Sequence, residues 1–231
     1  MKKYKHLFFD LDHTLWDHDK NSEEAIDEIH ARFSLDTIHS IPKDAFRKTF
    51  SEINTSLWDQ FNHGTLHQTQ LRASRFRLIL DRFGVRNESL DHQLGEAYLN
   101  ICPTKNYLLP FALDLLNYLK PKYTMHILTN GFIDVQKVKI SSAGISPYFQ
   151  HIITADLEGN RKPNKEIFLH ALNISSAKLE ESLMIGDNPD TDILGAINVG
   201  MDCVYYNPQK RKHNFAITHE ISCLSDLFKV L

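Results

Sequence analysis

The chain of 231 residues contains few cysteines. There are three, an odd number without the CxxC spacing of paired ligands: Cys102, Cys203 and Cys223. This pattern indicates neither a disulfide framework nor a zinc site. We therefore expect free thiols and a reducing compartment, and we assign the protein to the cytoplasm.

A long apolar run is also missing. The apolar stretch that follows Lys2, Lys3 and Lys5 already ends at Asp10, which is too short for the core of a signal peptide. No stretch approaches the ~18 uninterrupted apolar residues of a membrane-spanning helix. We therefore expect neither a membrane span nor a membrane partner.

Charge of one sign is not in excess. The 26 basic and 29 acidic residues give a net charge of -3, and the basic clusters at residues 2–6 and 210–212 are short. A polymeric nucleic acid is therefore not an expected partner. A small anionic substrate remains compatible with this balance, because a local site can oppose the overall charge.

Short apolar runs that end in polar or glycine-containing turns recur along the chain. They occupy residues 6–10, 124–131, 151–156, 183–187 and 202–207. Their continuous apolar character predicts strands that are buried on both faces. From the second run onward, residues with helical character separate them, at 132–143, 164–172 and 191–199. This alternation predicts an α/β core, a Rossmann-like parallel sheet with helices on both faces.

The segment between the first two predicted strands is too long for an ordinary crossover. Its apolar residues recur at helical spacing, for example at Phe46, Phe50, Ile53 and Leu57. Connections in compact α/β units are usually only ~2 to 6 residues outside their helix. We therefore predict an inserted all-α domain at residues 16–105, within a core formed by residues 1–15 and 106–231.

Polar residues follow the predicted strands at the points where ligands bind in doubly wound sheets. In chain order these are Asp10 and Asp12, Thr129 and Asn130, and Asp187 with Asp192. Lys162 comes from a loop that runs into a predicted helix. Taken singly, each of these motifs is weak evidence for an active site, because an Asp-x-Asp pair or an Asp-rich turn is also common as a turn or helix cap. Their combination at successive strand ends indicates a single site.

Several carboxylates in one crevice would repel each other unless a cation lay among them. Mg²⁺ prefers oxygen ligands and commonly binds one or two carboxylates together with a substrate phosphate. A lysine and a hydroxyl beside such an ion meet the charge of a phosphoryl group during transfer. The set therefore favours a site for phosphate esters.

The order of these motifs resembles that of the haloacid dehalogenase superfamily. The four signatures are matched by "DLDHT" at 10–14, "LTNG" at 128–131, Lys162 in "RKP" and "GDNPDTD" at 186–192. The helical insertion lies where the α-helical cap of the first class belongs in this superfamily. The resemblance covers nearly the whole predicted core and is specific for fold and mechanism.

The resemblance implies that Asp10 attacks phosphorus and forms an aspartyl phosphate. Asp12 would protonate the leaving oxygen and then activate water. The same resemblance implies that a true dehalogenase lacks an acid at the position of Asp12, so that ester hydrolysis is favoured. It assigns no catalytic role to His13 in the spacer.

The remaining roles are also implied by the resemblance. Thr129 and Asn130 would hold phosphate oxygens, and Lys162 would neutralise the nucleophile and the phosphoryl charge. Mg²⁺ would be bound by the carboxylates of Asp10 and Asp187 and by the backbone carbonyl of Asp12. Asp192 would support the site by orienting Lys162 or a metal-bound water.

The substrate is indicated less specifically. Residues 57–76, 128–132, 162–168 and 190–200 resemble the pyrimidine 5'-nucleotidases that hydrolyse canonical and noncanonical nucleoside monophosphates. In the cap segment, Trp58, Phe61 and His63 could contact a base, but aromatic residues at helical spacing more often pack inside a domain.

Other functions stay open at this level. A sugar-phosphate or phosphoglycolate phosphatase would share the core residues, as would a phosphomutase. A non-catalytic protein that binds a phosphorylated ligand or a partner is the remaining alternative, although binding has no use for a general acid. The expected partner is a small phosphate ester, and the expected state is a monomer or a small homo-oligomer.

Overall fold

A computed structural model describes residues 4–155 and 160–231 of the chain. Lys2, Lys3 and the end of the third predicted strand at Asp156 lie outside the described residues. The chain divides into two compact units, Met1–His18 with Asn106–Leu231 and the intervening Asp19–Lys105.

The first unit contains a sheet in which all paired strands are parallel. Its strands are β1 (His6–Phe9), β2 (Thr124–Thr129), β3 (Phe149–Thr154), β4 (Ser182–Gly186), β5 (Asp202–Tyr206) and β6 (His219–Ile221). They are arranged in the order β3-β2-β1-β4-β5-β6. The Rossmann-like parallel sheet is thus confirmed.

Strand β1 lies in the interior of the sheet because its side chains are apolar on both faces. Leu7, Phe8 and Phe9 are fully buried, and β1 pairs with β2 on one side and β4 on the other. The chain order of the strands reverses at β1, which creates a crevice beyond the carboxyl ends of these strands. Residues that directly follow β1, β2 and β4 therefore lie near one another.

Helices connect the strands and form the second unit. In chain order they are α1 (His18–Arg32), α2 (Leu35–His39), α3 (Lys43–Asn62), α4 (Gln68–Arg82), α5 (Glu88–Ile101), α6 (Ala112–Leu119), α7 (Ile133–Ser142), α8 (Lys165–Ile174), α9 (Leu194–Val199) and α10 (Leu227–Val230). No helix in the described part of the chain is both long enough and apolar enough to span a membrane.

The second unit is helical throughout its regular structure, and aromatic side chains hold it together. Helix α3 packs on α4, and α4 packs on α5. Phe50 lies 5.0 Å from Tyr98 between ring centroids, and Phe76 lies 5.9 Å from Tyr98. Edge-to-face and tilted pairs of this kind stabilise a core beyond the area they bury.

Two details differ from the sequence prediction. The predicted helix at 191–199 begins instead with a π-helical turn at Pro189–Ile193, which continues into α9. Strand β6 was not predicted, because a three-residue strand with two exposed positions carries no apolar run that distinguishes it from a loop.

Candidate active site

A buried lysine joins two carboxylates beyond the carboxyl ends of the central strands. The Lys162 Nζ atom lies 2.6 Å from Asp10 Oδ1 and 2.6 Å from Asp192 Oδ1. It also donates a hydrogen bond of 2.7 Å to the Leu128 carbonyl at the end of β2. Lys162 is only 1% exposed, so these contacts replace its hydration.

The backbone of Lys162 is held by the side chain of Asn130. Asn130 Nδ2 donates to the Lys162 carbonyl at 2.9 Å, and the Lys162 amide donates to Asn130 Oδ1 at 2.8 Å. This pair of bonds ties the loop before α8 to the residue that follows β2. The Asn130 side chain therefore orients Lys162, which the sequence did not indicate.

Asp187 and Asp192 follow β4 and are held by hydrogen bonds. The Thr14 hydroxyl donates to Asp187 Oδ1 at 3.0 Å, and the Asn188 amide donates to Asp192 Oδ2 at 3.0 Å. Both oxygens of Asp192 are thus in use, one by Lys162 and one by the backbone. Asp192 consequently acts here as a partner of Lys162.

Three carboxylates surround this position, and their charges are not balanced by the lysine. Ligand atoms of Asp10, Asp187 and Asp192 lie within 4.8 Å of one another. Burial, with repulsion from Asp192 and Asp187, raises the pKa of Asp10 well above its usual range despite Lys162. Burial and the charge of Asp192 raise the pKa of Asp187 to about 7. Such a set of oxygen donors fits a hard divalent cation, which would stabilise the ionised forms.

The ammonium form of Lys162 is favoured by its partners. Burial by itself would lower the pKa of this lysine, but the charges of Asp10 and Asp192 outweigh it and hold the pKa above its usual value. Lys162 therefore supplies a positive charge in direct contact with Asp10.

The Thr129 hydroxyl accepts two hydrogen bonds. The Gly131 amide donates to Thr129 Oγ1 at 3.1 Å, and Gln136 Nε2 donates to it at 2.9 Å. Because the oxygen already accepts twice, the hydroxyl hydrogen can be donated to a third group. This geometry suits contact with a phosphate oxygen.

Asp12 is bound by residues of α7. Lys139 Nζ lies 2.6 Å from Asp12 Oδ1, and Gln136 Nε2 donates to Asp12 Oδ2 at 2.9 Å. Burial would raise the pKa of Asp12, but the charges of Lys139 and His18 and these hydrogen bonds hold it well below its usual range. The two acids that follow β1 therefore have opposite electrostatic environments.

The residue between Asp12 and Thr14 adopts a left-handed backbone conformation. His13 has a φ of 62° and is exposed. Glycine adopts a positive φ without steric cost, whereas histidine adopts it less readily, so the backbone conformation here does not follow from the residue type.

Gln136 and Lys139 were not found from the sequence. In the sequence they are only two polar residues three positions apart in a helix. Such a pair looks the same whether that side of the helix faces solvent or the protein interior, so the sequence does not identify it. Asp10, Asp187 and Asp192 lie together, with Lys162 bound to Asp10 and Asp192. Gln136 links Asp12 to Thr129.

The aromatic candidates lie in the second unit. The rings of Trp58 and Phe61 are 5.5 Å apart in an edge-to-face arrangement. His63 is exposed, and its Nδ1 lies 2.7 Å from the Asp59 carbonyl. These contacts describe packing and capping at the end of α3.

The fold and the site together define a class of hydrolase, with a doubly wound sheet and a carboxylate-lysine centre at its switch point. A profile of the haloacid dehalogenase-like hydrolases matches residues 4–200. The chain belongs to this family, and it is an enzyme.

Individual relatives extend over the full chain. It is 30% identical to the pyrimidine 5'-nucleotidase YjjG of Escherichia coli, with 99% of this chain and 98% of that protein covered. It is 31% identical to the glyceraldehyde 3-phosphate phosphatase of Pyrococcus abyssi, with 98% and 93% covered. A crystal structure of the HAD-hydrolase YfnB of Bacillus subtilis bound to magnesium has a TM-score of 0.88 and 27% identity, and it covers 100% and 99% of the two chains.

Proposed function

We propose that this haloacid dehalogenase-type phosphatase hydrolyses phosphomonoesters through an aspartyl phosphate on Asp10, and that its substrates are pyrimidine nucleoside 5'-monophosphates. The observation that carries the chemistry is that two acids follow β1 and are held by different groups. Asp10 contacts the Lys162 ammonium among further carboxylates, whereas Asp12 contacts Lys139 and Gln136. The two acids are thus fixed separately, and a cation bound beside Asp10 would favour the ionised carboxylate that attack on phosphorus requires.

The proposed reaction has two steps. In the first, a carboxylate oxygen of Asp10 attacks phosphorus, the bond from phosphorus to the ester oxygen breaks, and Asp12 gives that oxygen a proton. In the second, water attacks phosphorus, its proton passes to Asp12, and the bond from phosphorus to Asp10 breaks. The ion pair with Lys139 favours the ionised form of Asp12 that the second step requires. For the first step, the negative charge of the bound phosphate ester must raise the pKa of Asp12 so that it carries a proton.

Thr129 and Lys162 are the proposed ligands of the phosphoryl group. The Thr129 hydroxyl retains a hydrogen to donate, and the Lys162 ammonium lies beside the proposed nucleophile. Because the Asn130 side chain holds the Lys162 backbone, we assign phosphate contact at Asn130 to its amide N–H. Donors arranged in advance stabilise the charge of phosphoryl transfer.

Mg²⁺ is the proposed cofactor. The carboxylates of Asp10 and Asp187, together with the backbone carbonyl of Asp12, would hold it, and Asp192 would act through Lys162. When bound, the ion offsets the carboxylate charge and polarises the phosphoryl oxygens. The raised pKa values of Asp10 and Asp187 support this, because they reflect a site that needs more positive charge.

The nucleotide specificity rests on the relatives and the cap segment. YjjG, named a pyrimidine 5'-nucleotidase, matches this chain over nearly its whole length, including the helical unit. The helical unit 19–105 is therefore the proposed cap, which selects the leaving group. Free Cys102, Cys203 and Cys223 support the proposed cytoplasmic location.

A sugar-phosphate substrate is the second candidate. The chain is 31% identical to the glyceraldehyde 3-phosphate phosphatase of Pyrococcus abyssi, which is about the same as its identity to YjjG. The core contacts of Asp10, Lys162 and Thr129 would serve both substrates equally, because they address the phosphate and not the leaving group.

The test is phosphate release from a panel of nucleoside monophosphates and sugar phosphates, with Mg²⁺ or with EDTA. We expect Mg²⁺-dependent release with the highest kcat/KM on a pyrimidine monophosphate. Asp10→Asn should abolish release, whereas Asp114→Asn, which changes an exposed acid on α6, should leave it unchanged.

Each other result selects an alternative. A preference for a sugar phosphate would replace the nucleotidase assignment and leave the mechanism in place. Transfer of phosphate between positions of a substrate without net release would indicate a mutase. If all esters remained intact in the presence of Mg²⁺, the protein would be a binding protein and the proposal would be wrong.

A further inference from the structure

Two side chains of α7, Gln136 and Lys139, enclose the Asp12 carboxylate. Lys139 contacts one carboxylate oxygen at 2.6 Å and Gln136 donates to the other at 2.9 Å. Contacts to both oxygens fix the rotation of the carboxyl group as well as its position.

Gln136 also connects Asp12 to the proposed phosphate ligand Thr129. Its Nε2 group donates one hydrogen to Asp12 and one to Thr129 Oγ1, both at 2.9 Å. Since the amide spans both residues, the distance from the Asp12 carboxyl group to the phosphate-binding hydroxyl is set by one rigid group.

The sequence around Gln136 is constrained by this arrangement. A Cβ atom at Gly131 would lie 2.1 Å from Gln136 Nε2, so a larger residue there would displace the amide from this position. The Gln136 Oε1 atom is buried and has no hydrogen-bond partner among the described residues. An unpaired buried oxygen destabilises the fold, so packing alone does not explain a glutamine at this position.

Lys139 is also buried at a cost in hydration. It is 6% exposed, and its Nζ atom lies 4.3 Å from the centroid of the fully buried Trp16 ring. The aromatic face and the Asp12 carboxylate together replace water around the ammonium group. The Trp16 ring thus limits where the ammonium can lie.

We propose that Gln136 and Lys139 are positioning residues that orient the Asp12 carboxyl group for proton transfer to the leaving oxygen and from water. This inference rests on the proposed function, because it assigns them to the acid-base residue of that reaction. Neither side chain contacts Asp10 or Lys162 in the described structure. Displacement of a catalytic group by about 1 Å can lower the rate on the order of 100-fold. Loss of either positioning contact should therefore have a measurable effect on kcat/KM.

The experiment compares Lys139→Met with Lys137→Met, a matched lysine on α7 that is exposed. Each variant is assayed on the alkyl phosphate with the highest kcat/KM in the panel above and on p-nitrophenyl phosphate. An alkoxide leaving group needs a proton from Asp12, whereas p-nitrophenolate leaves without one. We expect Lys139→Met to lower kcat/KM at least tenfold on the alkyl ester and by less than about threefold on the aryl ester. Lys137→Met should match the wild type.

The aryl ester also reports the second step. If water activation by Asp12 is slowed, the aspartyl phosphate accumulates, and Lys139→Met should release a burst of about one p-nitrophenolate per site. Gln136→Met keeps the length of the side chain but removes both donors. It should also slow the alkyl ester more than the aryl ester, on top of an equal loss on both esters from the missing bond to Thr129. This second variant keeps the test decisive if Lys139→Met fails to fold, as judged by its circular dichroism.

A double-mutant cycle tests whether Lys139 acts through Asp12. In the Asp12→Asn background, Lys139→Met should change kcat/KM by less than about twofold, because the oriented group is already gone. Equal losses on both esters, an additive cycle, or a rise in KM with unchanged kcat would overturn the proposal. If the wild type with Mg²⁺ released no phosphate from either ester, the proposed function itself would have failed, and that result is distinct from all three.

Discussion

At the scale of single residues, the site depends on positions where a side chain would not fit. Gly186 ends β4, and a Cβ atom there would lie 2.2 Å from Asp192 Oδ2 and 2.6 Å from Asp192 Cβ. The whole Asp192 side chain occupies the space, so no rotation of a flexible end relieves the contact. The glycine therefore permits the contact between Asp192 and Lys162.

We predict that Gly186→Ala lowers the free energy of unfolding by about 1 to 3 kcal/mol, as overpacking does. It should also lower kcat/KM for phosphate release at least tenfold, since Asp192 is displaced from Lys162. Gly95→Ala on α5 is the matched control, because its Cβ atom would have only Phe76 at 4.0 Å. That variant should gain about 0.5 to 1 kcal/mol, since alanine favours a helix interior. Urea unfolding and phosphate release measure both quantities, and equal stability of the two variants would contradict the prediction.

At the scale of elements, neighbouring strands bring three histidines together. His126 on β2 is fully buried, with His6 Nδ1 at 3.1 Å from its Nε2 atom. The rings of Phe8 and His151 lie near it, at 4.8 and 5.4 Å between centroids. Burial, together with the charges of His6 and His151, lowers the pKa of His126 to about 4. The sheet therefore favours a neutral His126.

This makes stability depend on pH in a defined direction. Between about pH 6.5 and 4 the unfolded chain binds a proton at His126 that the folded chain does not. The free energy of unfolding therefore falls as pH falls through this range, by at most about 3 kcal/mol from this residue. Urea unfolding at several pH values should show a smaller fall for His126→Phe than for the wild type. His170→Gln, at an exposed histidine on α8, should keep the wild-type slope, and equal slopes for all three proteins would refute the assignment.

At the scale of the whole molecule, two buried carboxylates and a partly buried third, beside one lysine, leave the folded state with uncompensated negative charge. A ligand that binds only the folded state stabilises it, by about 2.7 kcal/mol at a concentration 100 times its Kd. We predict that Mg²⁺ at such a concentration raises the Tm by at least about 5 °C. Asp187→Asn should remove most of this increase, and Asp114→Asn should keep it. Differential scanning fluorimetry measures the shift, and an equal shift in Asp187→Asn would place the ion elsewhere.

Much of the core was predictable because parallel strands have a simple sequence signal. The runs that contain Leu7, Met125 and Leu183 are apolar on both faces, and each became a strand within two residues of the predicted start. Short edge elements such as β6 lack that signal. In the second unit, Phe46, Phe50, Ile53 and Leu57, which recur at helical spacing, are all buried, whereas the apolar Leu78 of α4 is 39% exposed. Helical spacing identifies a face only approximately, because a helix also presents apolar residues at its border.

By itself, the sequence determined the type of fold, the family and the order of the acids, hydroxyl and lysine along the chain, because strand ends in a parallel sheet converge at one edge. Only the tertiary structure decided how these groups are used. It turned the Asn130 side chain towards Lys162, joined Asp192 to the same lysine, and brought Gln136 and Lys139 of α7 to Asp12. These contacts join residues up to 127 positions apart, so they depend on how α7 and the loop before α8 pack on the sheet, which no local pattern encodes.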